Sequence, residues 1–345
     1  QGDYKSFSNI PRPGHADLTY LTKYGVKSSS GGGRASARET VARVAAGAVA
    51  ENFLYEKYSV EIVSWVNSVG DIEIPKNIKF DNIGKKEVDL LGSFSIYKSE
   101  NDSIIYHNMF NKTYYVYSDV VKEINVSIGD EKGISHDNMP YTHFENINVR
   151  CPHIETAILM INKIKQIKNE NDSIGGTVSC VIRNVPQSLG EPCFDKIEAE
   201  LAKAMLSIPA TKGFEIGSGF EGTKLKGSEH NDVFEKDTDN KINKDLSLYK
   251  LDLKSKSNNA GGTLGGITTG ENIYFRVAIK PVSTIGKEQY TVDYDTNDKT
   301  LTAKGRHDPC VLPRAMPIVE TMSAIVIMDN LLIQATRKYM SEDFN

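Results

Sequence analysis

Apolar residues recur every three to four positions at several places along the chain, and each place predicts an amphipathic helix. In the first, Val41, Val44, Ala45, Ala48, Val49 and Phe53 share a face, and Ser36 with Glu39 makes the S-x-x-E pattern that caps a helix starting at Ser36. The second carries Ile154, Ala157, Ile158, Ile161 and Ile164 and ends near the polar run Lys168 to Asp172. The third, Asp195 to Ser207, places Ile197, Leu201, Ala204 and Met205 together. Ile208-Pro209 closes it, because a residue before proline is pushed out of the helical region. A last helix is expected from Pro317, a residue suited to a first turn, to about Met340.

Strand patterns lie between these helices. Ser59 to Val69 is rich in β-branched and aromatic residues and holds the single tryptophan, Trp65. Thr177 to Val185 alternates until Pro186 stops it, and in Asn272 to Lys280 the apolar Phe275, Val277 and Ile279 alternate with Tyr274, Arg276 and Ala278. Glycine-rich strand regions run from Gly213 to Gly222 and from Gly261 to Gly270, with a Lys/Asp/Asn-rich loop, Glu229 to Asn259, between them. From 81 to 148 the composition shifts to Asn, Asp, Lys, Ile and Tyr with few assignable turns, which predicts an irregular surface insertion. The order of elements argues for a mixed α/β (α+β) core. Without a Pro/Gly linker between halves, 1–345 is expected to form a single domain.

Composition narrows the function classes. With 345 residues, 39% hydrophobic and 25% charged, the chain resembles an ordinary globular protein and not a disordered or fibrous one. A net charge of −4 lacks the long-range attraction of a nucleic-acid or anionic-membrane binder, so any anion site must be local. Cys151, Cys180, Cys193 and Cys310 lie far apart with no CxxC pair and read as reduced thiols. The most apolar stretch, Ala324 to Ile333, is short and broken by Asp329 and Asn330, which argues against a membrane span. No signal peptide is visible, which favours the cytoplasm. The sequence opens at Gln1 inside what reads as mid-domain sequence, so the true N-terminus is expected upstream.

Candidate chemistry concentrates at four places. At Ser36 a helix start presents unpaired N–H groups between Arg34 and Arg38, after the permissive Gly31-Gly32-Gly33. That makes an anion cradle; an ordinary capped helix with surface ion pairs fits the local pattern equally well. In Arg12-Pro13-Gly14-His15-Ala16-Asp17 a histidine sits in a proline-held turn between a cation and a carboxylate, suited to proton transfer or to a purely structural role. Arg306-His307-Asp308 packs three ionisable groups before Pro309, as an anion anchor with a base or as a local ion pair. Lys280-Pro281-Val282-Ser283-Thr284 ends a strand with a cation and two hydroxyls, suited to a phosphate, with a solvated strand end as the alternative. The seven histidines show neither HxH nor HExxH, and no metal is expected.

Together these islands resemble the chorismate synthase family. The stretches that carry the likeness are RPGHAD (Arg12 to Asp17), SSSGGGRASARETVARVAAGAVAE (Ser28 to Glu51), NDSIGGTV (Asn171 to Val178), GEPCFDK (Gly190 to Lys196), KGFEIGSGF (Lys212 to Phe220), GGTLGGITTGE (Gly261 to Glu271) and GRHDPCVLPRAMPIVE (Gly305 to Glu320). RASARET and GEPCFDK look more like the fungal and other eukaryotic branch than the bacterial one. Two departures stand out: the family's N-terminal GESHG-like segment has no counterpart in this sequence, and Gly270 follows Thr268-Thr269 where the family commonly has Asn.

The resemblance implies a β-α-β sandwich with an internal pseudo-twofold, assembled as a homotetramer. It implies a carbon–oxygen lyase that eliminates phosphate from 5-enolpyruvylshikimate 3-phosphate to give chorismate, the last common step towards the aromatic amino acids. Reduced FMN lends electron density and ends reduced, so there is no net redox change. NADPH is a second cofactor if the enzyme reduces its own flavin, as fungal members do. Matched by position, the flavin contacts are Arg34, Ala35, Ser36, Pro209, Ala210, Gly265, Lys280, Pro281, Val282, Ser283, Thr284 and Arg306. The substrate contacts are Arg12, His15, Ser36, Ala37, Arg38 and Arg306. His15 is matched to protonation of the reduced flavin and Asp308 to removal of a proton from its N5. A non-catalytic flavin- or phosphate-binding relative is the competing expectation, and a flavin oxidoreductase a third.

Overall fold

The computed structural model describes residues 9–26, 32–128, 133–136, 139–238, 241–303 and 307–342. The chain divides into two compact units, one of Gln1–Ser64, Val178–Lys280 and Arg314–Asn345, the other of Trp65–Thr177 and Pro281–Pro313. Helices and sheets combine in an α+β architecture, as the sequence predicts.

Helix α1 (Asp17–Tyr24) is stopped by Gly25 at φ 70°, the left-handed cap that glycine adopts without strain. Two 3₁₀ turns, Gly33–Ala35 and Ala37–Glu39, the second with Ser36 as its N-cap, then lead into α2 (Thr40–Tyr58). The regular helix therefore starts at Thr40, and Ser36 caps the tighter turn before it. Nor does α2 bury the face its periodicity selects. Val41 and Val49 are each 73% exposed, and the helix docks through Thr40, Gly47 and Leu54, each two turns from the next. Strand β1 (Glu61–Val69) is buried without alternation from Ile62 to Val66, the mark of a strand covered on both faces, and turns at Gly70 into β2 (Ile72–Glu73).

The stretch expected to be irregular is regular. After α3 (Lys85–Leu91) come β3 (Ser93–Ser99), β4 (Ile104–Asn108), β5 (Thr113–Tyr117), β6 (Val120–Ile124), β7 (Ser127–Ile128), β8 (Gly133–His136) and β9 (Met139–Asn148). They form an antiparallel sheet in the order β6-β5-β4-β3-β9-β8-β7. The sequence conceals it because three of its hairpins turn without glycine or proline. Asp102, Asn111 and the pair Ser118-Asp119 take left-handed backbone, with φ from 48° to 63°, in the β3–β4, β4–β5 and β5–β6 connections. Phe94, Ile96 and Tyr106 are buried, and Ile105, Ile134 and Tyr141 form a second cluster. The Tyr106 hydroxyl donates to Asn162 of α4 (Ile154–Asn169), and burial pushes that phenol up to about 12.

Strand β10 (Gly176–Arg183) and α5 (Ile197–Leu206) lead to β11 (Thr211–Ile216) and two short helices, α6 (Gly219–Gly222) and α7 (Gly227–His230). The region expected as an open loop carries a hairpin, β12 (Phe234–Lys236) with β13 (Leu253–Ser255). Asp232 ties down its far end by accepting from the Asn259 and Ala260 amides at 2.8 Å and the Ser257 hydroxyl at 2.7 Å. Next come β14 (Thr263–Leu264), β15 (Ile267–Thr268) and β16 (Ile273–Ile279), where Phe275, Val277 and Ile279 are buried in the predicted alternation.

In the second unit β17 (Gln289–Val292) pairs with β18 (Asp298–Leu301). The last helix, α8 (Leu312–Glu342), begins at Leu312 and not at Pro317, which lies inside it. Pro317 has no N–H for the carbonyl of Pro313, and the Arg150 guanidinium donates to that carbonyl at 3.2 Å instead. By length and composition α8 passes for a membrane span, yet most of that stretch is buried inside the protein, as a core helix is.

Within the first unit the main sheet runs β11-β16-β10-β1, and within the second β10-β1-β2. Two contacts hold α8 in the first unit. Buried Glu320 accepts from the Ser64 amide at 2.9 Å and hydroxyl at 3.0 Å, and Thr321 faces Gly47 of α2.

Candidate active site

Residues Arg12 to His15 form a tight turn. Pro13 presets the second position, Gly14 supplies φ 67° at the third, and the His15 amide donates to the Arg12 carbonyl at 3.1 Å, the type II pattern. Asp17 follows at once in the first turn of α1, where a carboxylate is favoured by the helix dipole.

The turn folds the three ionisable side chains onto each other. Asp17 accepts from Arg12 Nε at 2.8 Å and Nη2 at 2.9 Å, and from the Arg12 amide at 3.2 Å. Its Oδ1 also lies 2.8 Å from His15 Nδ1. Burial opposes ionisation of Asp17, but the hydrogen bonds from Arg12 and His15 and their charges outweigh it, holding the carboxyl well below the usual carboxylate range. Arg12 is only 7% exposed, so its guanidinium is turned inward to Asp17 and His15.

Two other predicted segments meet this turn. A Cβ built on Gly32 would stand 3.4 Å from His15 Nε2 and 3.2 Å from the Ser36 amide nitrogen, so glycine makes room for the ring beside the 3₁₀ start. At Ser36 the hydroxyl accepts from the Arg38 amide at 3.3 Å. The Glu39 carboxylate pairs with Arg34 at 2.5 Å, which partly neutralises one arm of the predicted anion cradle. Ala35 is half-buried, whereas Ala37 and Arg38 are exposed. From the other side the Lys280 ammonium donates to the Gly14 carbonyl at 2.6 Å, and the Lys280 amide donates to the Ala210 carbonyl at 2.9 Å.

Ala210 follows Pro209 and sits at φ 72°, a left-handed conformation that strains a residue with a Cβ. Beside it Thr211 Oγ1 is buried with no hydrogen-bond partner among the described residues. Arg43 of α2 holds the approach to this corner, donating to the Ser207 carbonyl at 3.1 Å and hydroxyl at 2.9 Å.

The first unit thus gathers Arg12, His15, Ser36 and its neighbours, Pro209, Ala210 and Lys280. Gly265, also in that unit, forms the β14–β15 turn with Gly266, and a Cβ there would meet nothing within 4 Å. Pro281 to Thr284 and Asp308 belong to the second unit, where the Val282 carbonyl accepts from Ser173 and His307 Nε2 is buried with no partner among the described residues. Arg306 lies outside the described residues. Sequence reasoning named Asp17 as the carboxylate beside His15 but gave it no role, and passed over Arg43. The Arg-x-x-His-x-Asp spacing was the available sign for the first; nothing in the sequence ties Arg43 to Ser207. No group of three or more His, Cys, Asp or Glu suited to a metal occurs among the described residues.

A part-buried Asp–His–Arg cluster thus stands beside a glycine-opened helix start, with a lysine ammonium across from it, an arrangement with donors for an anion and an imidazole able to exchange a proton. The family model described as chorismate synthase matches residues 1–332, and the chain belongs to that family. It is 49% identical over 335 residues to the chorismate synthase of Schizosaccharomyces pombe, covering 97% of this chain and 74% of that protein. The Saccharomyces cerevisiae chorismate synthase is 45% identical over 339 residues, 98% of this chain and 74% of that one. A Prochlorococcus marinus chorismate synthase is 46% identical over 332 residues, 96% and 72% of the two chains. A crystal structure of chorismate synthase superposes with a TM-score of 0.55 at 28% identity, covering 87% of this chain. The chain spans 65% of the length of that solved chain.

Proposed function

We propose that this protein is a lyase that eliminates phosphate from 5-enolpyruvylshikimate 3-phosphate to form chorismate, with reduced FMN as its cofactor. The observation that carries the reading is the convergence of RPGHAD, the Gly32–Arg38 start and the Ala210–Lys280 corner around the His15 ring. The substrate bears two carboxylates and a phosphate, and each charge-assisted hydrogen bond to such a group contributes about 1.5–3 kcal/mol. Ser36, Ala37, Arg38 and Arg306 supply donors for it, and Arg12 acts on His15 as well as on the ligand.

The residues also fit the flavin. The Thr211 hydroxyl lacks a partner among the described residues, Ala210 is held in a strained conformation beside it, and Gly265 leaves open space. Such features suit a ligand that brings its own polar atoms. Arg34, Ala35, Ser36, Pro209, Ala210, Gly265, Lys280 to Thr284 and Arg306 would hold it. When bound, reduced FMN would supply electron density for the departure of the allylic phosphate and an acceptor for the hydrogen lost from the ring. His15 carries a proton through Nε2, and Asp308 accepts the proton returned at the end of the cycle. The family resemblance supports a homotetramer that draws on NADPH if it reduces its own flavin.

The test is an anaerobic assay with supplied reduced FMN and the enolpyruvyl substrate. Stoichiometric phosphate and chorismate are expected. Ligand retention without turnover would identify a non-catalytic binder, and NADPH consumed in proportion to product a flavin oxidoreductase.

A further inference from the structure

We infer that Asp17 is the positioning residue that fixes the His15 tautomer, keeping the proton on Nδ1 and leaving Nε2 as the exchanging nitrogen at the Gly32–Ser36 turn. The inference rests on the proposed function only for the reaction in which His15 acts. Its basis is a conflict of donors around one ring nitrogen. His15 Nδ1 is 2.8 Å from Asp17 Oδ1 and 3.0 Å from Arg12 Nη2. A carboxylate can only accept and a guanidinium can only donate, so these two contacts demand opposite tautomers of the neutral ring.

The geometry points to the carboxylate. Arg12 Nη2 already donates to the same Asp17 Oδ1 at 2.9 Å and Arg12 Nε donates to Oδ2, while His15 Nδ1 lies closer to the carboxylate, 2.8 Å, than to Nη2, 3.0 Å. Asp17 keeps its negative charge, because its carboxyl lies well below the usual range. An anion between the guanidinium and the ring then accepts from both, and Nδ1–H is the arrangement that makes the shorter of the two ring contacts a hydrogen bond. Nε2 is left facing the place where a Gly32 Cβ would stand, beside the Ser36 amide. A carboxylate that orients an imidazole through Nδ1–H in this way also stabilises the ring when Nε2 takes a proton.

Remove the charge and the competition reverses. In Asp17→Asn the Arg12 Nη2 contact with Nδ1, 3.0 Å in the wild type, no longer competes with a carboxylate, which moves the ring proton to Nε2 and turns the exchanging nitrogen into a donor.

Two measurements test this. Long-range proton–nitrogen spectra of the nitrogen-labelled protein, taken at alkaline pH with His15 assigned by its loss in His15→Gln, should show Nδ1–H in the wild type. Nε2–H there overturns the inference whatever the enzyme does. Steady-state kinetics should then show Asp17→Asn lowering kcat roughly tenfold or more with KM little changed, and causing no further loss in the His15→Gln background. Equal losses in both backgrounds would make Asp17 structural only. Failure of the wild type to form chorismate would sink the proposed function and leave the tautomer to the spectra.

Discussion

A methyl group built on Gly47 would lie 2.4 Å from both the Cβ and the carbonyl oxygen of Thr321, so α2 and α8 touch with no space for a side chain between them. Gly47→Ala must push the helices apart or bend one of them, and overpacking of this kind costs about 1–3 kcal/mol. A urea titration should show a lowered midpoint with an unchanged slope. Gly84→Ala is the control, because a Cβ there meets nothing within 4 Å. Equal midpoints for the two variants would show that the contact is not tight in solution.

The same pair explains what the sequence hid. Periodicity picked out α2 correctly but chose the wrong face, since Val41, Ala45 and Val49 outrank glycine on any hydrophobic scale. The docking line is set by what lets α8 come close, a property of Thr321 more than two hundred residues away. Strand β16 was legible because its alternation and its burial coincide. Pro317 misled for the opposite reason: a distant guanidinium, that of Arg150, takes up the carbonyl the proline leaves free. At the site, RPGHAD and the Gly32–Arg38 segment were visible as motifs, yet their meeting through the Lys280 ammonium and the Gly14 carbonyl is a tertiary fact that no local pattern contains.

The hairpin between β5 and β6 turns on Ser118 and Asp119, at φ 48° and 63°, where Asn-Gly is the preferred pair. Replacing them by Asn-Gly removes two strained backbone conformations, each costing roughly 1–3 kcal/mol, less what glycine loses through its freer unfolded chain. A net gain of about 1 kcal/mol is expected. Thermal or urea unfolding reads it, and a loss of stability would mean that the turn is not the two-residue type described.

Thiol reactivity should separate the four cysteines. Burial pushes Cys151 up to about 12, and burial with the Asp308 charge pushes Cys310 up to about 11, so neither offers a thiolate near neutral pH. Cys180 is buried, whereas Cys193 is exposed. A short treatment with iodoacetamide should therefore label Cys193 first, as read by peptide mass spectrometry. Early labelling of Cys151 or Cys310 in the folded protein would contradict the packing around them.

Asp17 links the site to stability. Its carboxyl is held well below the value of about 3.9 that an unfolded aspartate shows, so on acidification the unfolded chain takes up this proton before the folded one does. The stabilisation is fully present above the unfolded value and is lost only as pH falls towards the depressed folded one. Asp17→Asn takes the Asp17 charge away from Arg12, 7% exposed, at a cost on the order of 3 kcal/mol at neutral pH. The stability gap between wild type and Asp17→Asn should be constant from neutrality down to about pH 5 and should close as the medium becomes more acid. Urea unfolding of both proteins across that range measures it. A gap that stays constant into strong acid would mean that the Arg12–Asp17 pair adds no charge-dependent stability.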